Sequence, residues 1–258
     1  MSTFRASLRA GRLLRVFPLG QLCHPKLVEL VGLVGGFDAV WFDQEHAGLS
    51  TAQIEEASRA ARAVGLDCFV RLPATDYAAV LRVLEAGAGG LMASMVRSLR
   101  EVQDLVHWAR FYPLGGRGIN GSGVDGRYGS LPLLDYLQQA NDRVAVGVQI
   151  EHADAVEVVE AIAAVPGIDF LFIGPADLSQ SLGIPGAWDH PLLWQAIERV
   201  AAACKSANLP WAVMPFSLDF GHRCRDLGCR MFSLGIDVWA FQRGLRAIQA
   251  DFAELFAP

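Results

Sequence analysis

Residues 42–47 read FDQEHA and follow the apolar run DAVW, so two carboxylates, an amide and an imidazole occupy four consecutive positions. Asp43 precedes His46 by three residues. In a tight strand-to-loop turn that spacing lets a carboxylate orient an imidazole and hold it ready to accept a proton. A structural histidine is the alternative at this position. His107 and His222 fall within helical patterns, His190 at a helix start and His24 just after an apolar run, which gives each a capping or surface place. Arg71 closes CFVR ahead of LP, where the planar donor fork of a guanidinium suits a substrate carboxylate or a developing oxyanion, or else pairs with Asp43 or Glu45. Gln149 and Glu151 end the apolar run VAVGVQI, and Asp177 follows DFLFIG. Two carboxylates converging from successive strand ends need a cation between them, or one must take up a proton. Oxygen donors with neither cysteine nor paired histidine nearby point to a hard divalent ion such as Mg²⁺ or Mn²⁺, with positions open for water and a chelating substrate. Ordinary rim ion pairs are the competing explanation.

The elements that must position these groups are short apolar runs alternating with helical patterns. Strands are expected at 16–22, 38–42, 67–72, 89–95, 144–150, 169–174, 210–215 and 231–236. Helices are expected between them, for example at 51–64, where Ser50 and Gln53 form a capping-box pattern, and near 190–206 behind Asp189 and Pro191. Near-continuous apolar strands, each followed by a helix, describe a parallel sheet covered by helices. Eight such units in 258 residues predict an α/β fold, a (β/α)8 TIM barrel, as one domain over 1–258. A doubly wound open sheet is the runner-up. In a barrel, chemistry belongs to the C-terminal ends of strands, which is where Asp43, Glu45, His46, Arg71, Gln149, Glu151, Asp177 and Met214 fall. Arg5, Arg9, Arg12 and Arg15 are spaced as the solvated face of a short N-terminal helix, with Phe4 and Leu8 on another face. The irregular stretch 111–131 is expected to form a lid or wall of the site.

About half the residues are apolar, yet Glu29 and Asp38 interrupt the longest apolar stretch, so no membrane span is expected. A net charge of −5 with dispersed basic residues argues against a nucleic-acid partner and for a small molecule. Five cysteines without a CxxC pair suggest reduced core thiols and a cytoplasmic protein. GRGING at 116–121 fits G-x-G-x-x-G, but with no strand before it and no helix opening within it the dinucleotide reading fails, and the glycines are expected to let a loop bend over the site.

The ordered motifs GFDAVWFDQEHAG (36–48), VRLP (70–73), YPLGGRG (112–118), VQIEHADAV (148–156), DFLFIGPADLSQSLG (169–183) and LGID (234–237) resemble the HpcH/HpaI aldolase family of metal-dependent class II pyruvate aldolases. The resemblance implies Glu151 and Asp177 as ligands of Mg²⁺ or Mn²⁺, with Co²⁺ behind them. It implies His46 with Asp43 as the acid/base dyad, Arg71 steadying a pyruvate enolate, and Gln149 near the keto acid. Backbone amides around Gly174, Pro175, Ala176 and Asp177 would hold its carboxylate, although Pro175 has no N–H. Met214 falls where a side chain influences the choice of aldehyde. Ser94 stands where the family usually has proline, and His152 replaces a small or hydroxylated residue. The family also implies a homo-oligomer, a hexamer, with a C-terminal helix exchanged between subunits. The expected reaction is reversible cleavage of a 4-hydroxy-2-oxo acid to pyruvate and an aldehyde. Lys26 and Lys205 are the only lysines and lie in helical patterns, which argues against a Schiff base. The same chemistry would serve an oxaloacetate decarboxylase or an acyl-CoA lyase, and a non-catalytic metabolite-binding barrel is the alternative from another class.

Overall fold

The computed structural model describes residues 3–256. Eight parallel strands close in sequence order into a barrel. They are β1 (Leu14–Leu19), β2 (Ala39–Asp43), β3 (Asp67–Leu72), β4 (Gly90–Ala93), β5 (Ala145–Ile150), β6 (Phe170–Ile173), β7 (Trp211–Val213) and β8 (Met231–Ser233). α1 (Phe4–Arg9) precedes them, and between and after them run α2 (Pro25–Val34), α3 (Thr51–Ala63), α4 (Tyr77–Glu85), α5 (Leu99–Ala109), α6 (Leu133–Arg143), α7 (Ala153–Glu157), α8 (Val159–Ala163), α9 (Pro175–Ser181), α10 (Pro191–Ser206), α11 (Leu218–Asp226), α12 (Asp237–Asp251) and α13 (Ala253–Phe256). The expected barrel and all eight strands are present. Ser50 and Gln53 close the capping box of α3, while His190 rather than Asp189 caps α10. None of the helices is long and apolar enough to cross a membrane among the described residues.

Alternation along the strands separates two apolar layers. Val40, Phe42, Val70, Val146, Val148, Ile150, Leu171 and Ile173 face the helices. Ala39, Trp41, Phe69, Met92, Ala145, Phe170, Phe172 and Ala212 fill the barrel, together with Phe4 and Leu8 of α1. Phe4 stacks on Phe69 at 5.2 Å and meets the edge of Phe170 at 6.0 Å, so α1 plugs the N-terminal end of the barrel. The interior is crowded enough that a Cβ on Gly147 would lie 2.1 Å from the Phe170 ring.

The four-arginine face does not form. α1 ends at Arg9, Arg15 belongs to β1, and Arg5 is buried at 3 % exposure. Its Nε donates to Asp169 Oδ1 at 2.6 Å, while Arg110 Nη2 donates to Asp169 Oδ2 at 2.5 Å. A buried guanidinium needs such a partner, and burial still draws the Arg110 guanidinium down to about 10. The segment 111–131 is irregular as expected, but it packs outside the barrel rather than over its mouth. The N–H of Gly116 donates to the His107 carbonyl at 2.8 Å, Gly118 N–H to Tyr77 Oη at 2.8 Å, and Arg59 Nη2 to Tyr128 Oη at 2.8 Å. A Cβ on Gly116 would approach the His107 ring to 2.4 Å, so the glycine there permits close packing on α5.

At the other end of the chain, α12 leaves Trp239, Phe241, Leu245 and Ile248 exposed, and Phe252 beyond it likewise. Its one buried residue is Asp237, the acid of LGID, whose Oδ2 accepts from the N–H groups of Gly20 (2.7 Å) and Leu22 (2.8 Å). That acid therefore fixes the loop after β1.

Candidate active site

The same alternation that fills the barrel places its polar layer. On β2 the inward parity of Ala39 and Trp41 continues to Asp43. On β3 it runs from Phe69 to Arg71, on β5 through Gln149 to Glu151, on β6 to Gly174, and on β7 to Met214. Asp43, Arg71, Gln149, Glu151 and Met214 therefore point into the C-terminal mouth, whereas His46 and Asp177 reach the site from the loop after β2 and from α9. Asp43 pairs in register with Arg71 on the adjacent strand.

Arg71 is the best-held of these groups. Its Nε donates to Asp43 Oδ1 at 3.1 Å and Nη2 to Asp43 Oδ2 at 2.6 Å, a two-pronged contact, while Glu45 Oε2 lies 3.3 Å from Nε. The guanidinium carbon stands 4.9 Å from the Trp41 ring centroid. Of the five N–H donors of a guanidinium, those on Nη1 and the second on Nη2 are left for a ligand. Asp43 thus clamps Arg71, and its remaining contacts are with backbone: Oδ1 also accepts from the N–H of Glu45 (3.0 Å) and of His46 (3.2 Å). The expected contact between the Asp43 carboxylate and the His46 ring is absent. His46 Nε2 lies instead 3.7 Å from Glu45 Oε2, and its side chain is 62 % exposed at the rim. Glu45 therefore links the arginine to the imidazole.

Glu151 is 1 % exposed. Its Oε1 accepts the N–H of Met95 at 2.6 Å and its Oε2 accepts from Gln149 Nε2. Burial pushes its carboxyl up to about 7, against the Met95 hydrogen bond, and the charges of Glu45 and Asp177 push it further up while Arg71 draws it down. Met95 adopts a φ of 54°, in the left-handed region that a side chain rarely enters, and it follows Ser94, whose buried hydroxyl has no partner. A Cβ on Gly174 would come within 2.6 Å of Glu151 Oε2 and 2.7 Å of Gln149 Nε2, so the residue before Pro175 must be small for this pair to pack. His152 caps α7 by accepting the N–H of Asp154 at 3.2 Å. Asp177 stands half-buried in the first turn of α9.

Arg71, Gln149, Gly174, Pro175, Ala176, Asp177 and Met214 line one cavity of about 100 Å³, floored by Trp41, Met92 and Phe172. Phe216, which no sequence pattern singled out, completes it, held by stacking on Trp188 at 3.7 Å.

Asp43 and Glu45 already pair with Arg71, the one cation lining the cavity, Glu151 also feels the charges of Glu45 and Asp177, and Gln149 Oε1 is buried with no hydrogen-bond partner. Surplus negative charge, an orphaned acceptor and all-oxygen donors fit a hard divalent cation held by Glu151 and Asp177. Asp177 is the carboxylate that lines the cavity, with Glu151 buried behind Gln149, and among the described residues no group of three or more His, Cys, Asp or Glu is arranged to hold an ion.

The sequence profile of the HpcH/HpaI aldolase/citrate lyase family matches residues 21–243. The chain belongs to the HpcH/HpaI family. It is 34 % identical over 245 residues to a 4-hydroxy-2-oxovalerate aldolase of Novosphingobium aromaticivorans, an alignment covering 95 % of this chain and 92 % of the relative. A pyruvate aldolase of Rhizobium etli is 33 % identical, with 97 % of each chain covered. The crystal structure of an HpcH/HpaI aldolase from Desulfitobacterium hafniense superposes with a TM-score of 0.89 at 30 % identity, covering 96 % of this chain and 97 % of that one.

Proposed function

We propose that this HpcH/HpaI family member is a divalent-metal-dependent pyruvate aldolase that reversibly cleaves a 4-hydroxy-2-oxo acid to pyruvate and an aldehyde. The observation that carries the reading is Arg71, clamped by Asp43 so that its free N–H donors face the cavity into which Gln149 and Asp177 also project. Glu151 and Asp177 are the residues that would hold Mg²⁺, Mn²⁺ or Co²⁺. Such an ion supplies Lewis acidity, which makes the methyl protons of a 2-oxo acid removable near neutral pH.

The rest follows from the chain's own groups. Arg71 offers hydrogen-bond donors to the oxygen on which enolate charge develops, in a cavity where burial strengthens the interaction. The N–H groups of Ala176 and Asp177 are free at the start of α9, within reach of a substrate carboxylate, while Pro175 contributes shape without a donor. His46, exposed at the rim beside Glu45, moves the proton. In cleavage it accepts the 4-hydroxyl proton as the C3–C4 bond breaks; the electron pair goes to C3, the aldehyde leaves, and the proton is returned to C3 of the pyruvate enolate. In synthesis each step reverses. Lys26 lies on α2 and Lys205 on α10, and neither lines the cavity, so no lysine is placed to form an imine there. The exposed apolar stripe of α12 supports a homo-oligomer in which that helix is exchanged between subunits.

The deciding experiment is exchange of pyruvate methyl hydrogens with deuterium, followed by NMR in the presence of Mn²⁺ or Mg²⁺ and without aldehyde. The expected result is exchange that EDTA abolishes and that His46→Ala or Glu151→Ala slows severely. Exchange at the wild-type rate in metal-free protein would overturn the mechanism.

A further inference from the structure

The cavity is divided by chemistry as well as by position. In a closed ring of eight strands, β3 and β7 lie diametrically opposite. Arg71, on β3, therefore faces Met214 and Phe216, which follow β7, with Gln149 and Asp177 between them on the β5 and β6 side. A keto acid that engages Arg71, Gln149 and the start of α9 leaves its reactive carbon to face the β7 wall, and the second reactant must lie against that wall.

The β7 wall offers no hydrogen-bonding side chain. Phe216 is fixed rather than floppy: its ring stacks on Trp188 at 3.7 Å and 27° and takes the edge of Phe220 at 5.1 Å. Trp188 is anchored through its carbonyl, which accepts from Trp194 Nε1 at 3.0 Å. Phe216 nonetheless remains 41 % exposed, which leaves apolar area for a ligand to cover. Arg71 is the one cation lining the cavity, and Asp43 and Glu45 already balance it. A second carboxylate at this wall would lose water against an aromatic face and find no cationic side chain beside it.

We infer that the aldehyde partner is uncharged and carries an apolar chain, so that the preferred cleavage substrate is a 4-hydroxy-2-oxo monocarboxylic acid rather than a dicarboxylic one. The inference rests on the aldolase reading above and names its acceptor class. A short alkyl or aryl group would cover the exposed face of Phe216 and lie against Met214, and the single carboxylate of the product would remain at the Arg71 end.

The test compares kcat/KM for aldol addition of pyruvate to propanal, benzaldehyde and succinate semialdehyde, using the metal-loaded full chain after deuterium exchange into pyruvate has been measured. The expected result is a preference for the uncharged aldehydes of roughly tenfold or more, the scale at which an unpaired desolvated charge discriminates. Phe216→Arg, which places a cation on the wall, should lower that ratio by at least about tenfold. Met214→Arg provides the same readout should the first variant fail to fold. Absence of exchange in the wild type would sink the aldolase reading itself. Exchange accompanied by equal or better use of succinate semialdehyde would overturn the acceptor inference alone.

Discussion

Glu151 carries a consequence that can be measured without any substrate. Its carboxyl is raised from an ordinary 4.5 to about 7, chiefly by burial and then by the charges of Glu45 and Asp177. Between those two values the folded protein keeps a proton that the unfolded chain has released. The folded state then binds more protons, so stability falls as pH rises through this window. A displacement of that size corresponds to about 3 kcal/mol, fully expressed only above pH ~7. Glu151→Gln removes the titration while keeping an acceptor for the Met95 N–H. Gln149 can turn its amide so that the Oε1 now lacking a partner receives the new NH₂ group. Urea unfolding in EDTA should therefore show the variant gaining about 3 kcal/mol on wild type between the lower and upper ends of the window, whatever its offset at either end. Saturating Mn²⁺ should flatten the wild-type dependence, because a bound cation favours the ionised carboxylate. If the gap between the two proteins moves by less than about 1 kcal/mol in metal-free conditions, burial of Glu151 is not governing its ionisation and the electrostatic account of the site fails.

Two further outcomes follow from other parts of the structure. Asp169→Ala strips the buried Arg5 and Arg110 of their shared carboxylate and should destabilise the protein by about 3–5 kcal/mol in urea titration; a loss below about 1 kcal/mol would show that the two guanidinium groups find water instead. Gly174→Ala drives a methyl group toward Glu151 Oε2 and Gln149 Nε2, so Mn²⁺ affinity by calorimetry should fall roughly tenfold or more, and unchanged affinity would mean that those side chains swing aside freely.

The architecture was legible because a parallel strand buried on both faces is written as an apolar run, and the polar residue that ends it is written next to it. Asp43 after AVWF, Arg71 after CFV and Gln149 with Glu151 after VGV announced both the strand ends and the site, and the parity of each strand then decided which side chains turn inward. What stayed hidden depended on partners distant in sequence. Arg5 reads as a solvated residue until Asp169, 164 positions away, is brought beside it. The stretch 111–131 reads as a lid because its length is visible and its docking against α4 and α5 is not. Within the site, the i to i+3 spacing suggested Asp43 as the partner of the His46 ring, whereas cross-strand register gave Asp43 to Arg71 and left Glu45 beside the imidazole. Phe216 carried no signal at all, since its role comes from stacking on Trp188 across two loops.

The plug formed by Phe4 and Leu8 turns the barrel into a vessel with one opening. On the proposed reading, reactants, solvent and products share that single doorway, with the keto acid beside Arg71 and Gln149 and the aldehyde against the facing β7 wall. The chemistry then orders the traffic: pyruvate must be bound and deprotonated before an aldehyde can be attacked, so it is first in and last out. In the cleavage direction, added pyruvate should compete with substrate for the free enzyme, whereas added aldehyde should not.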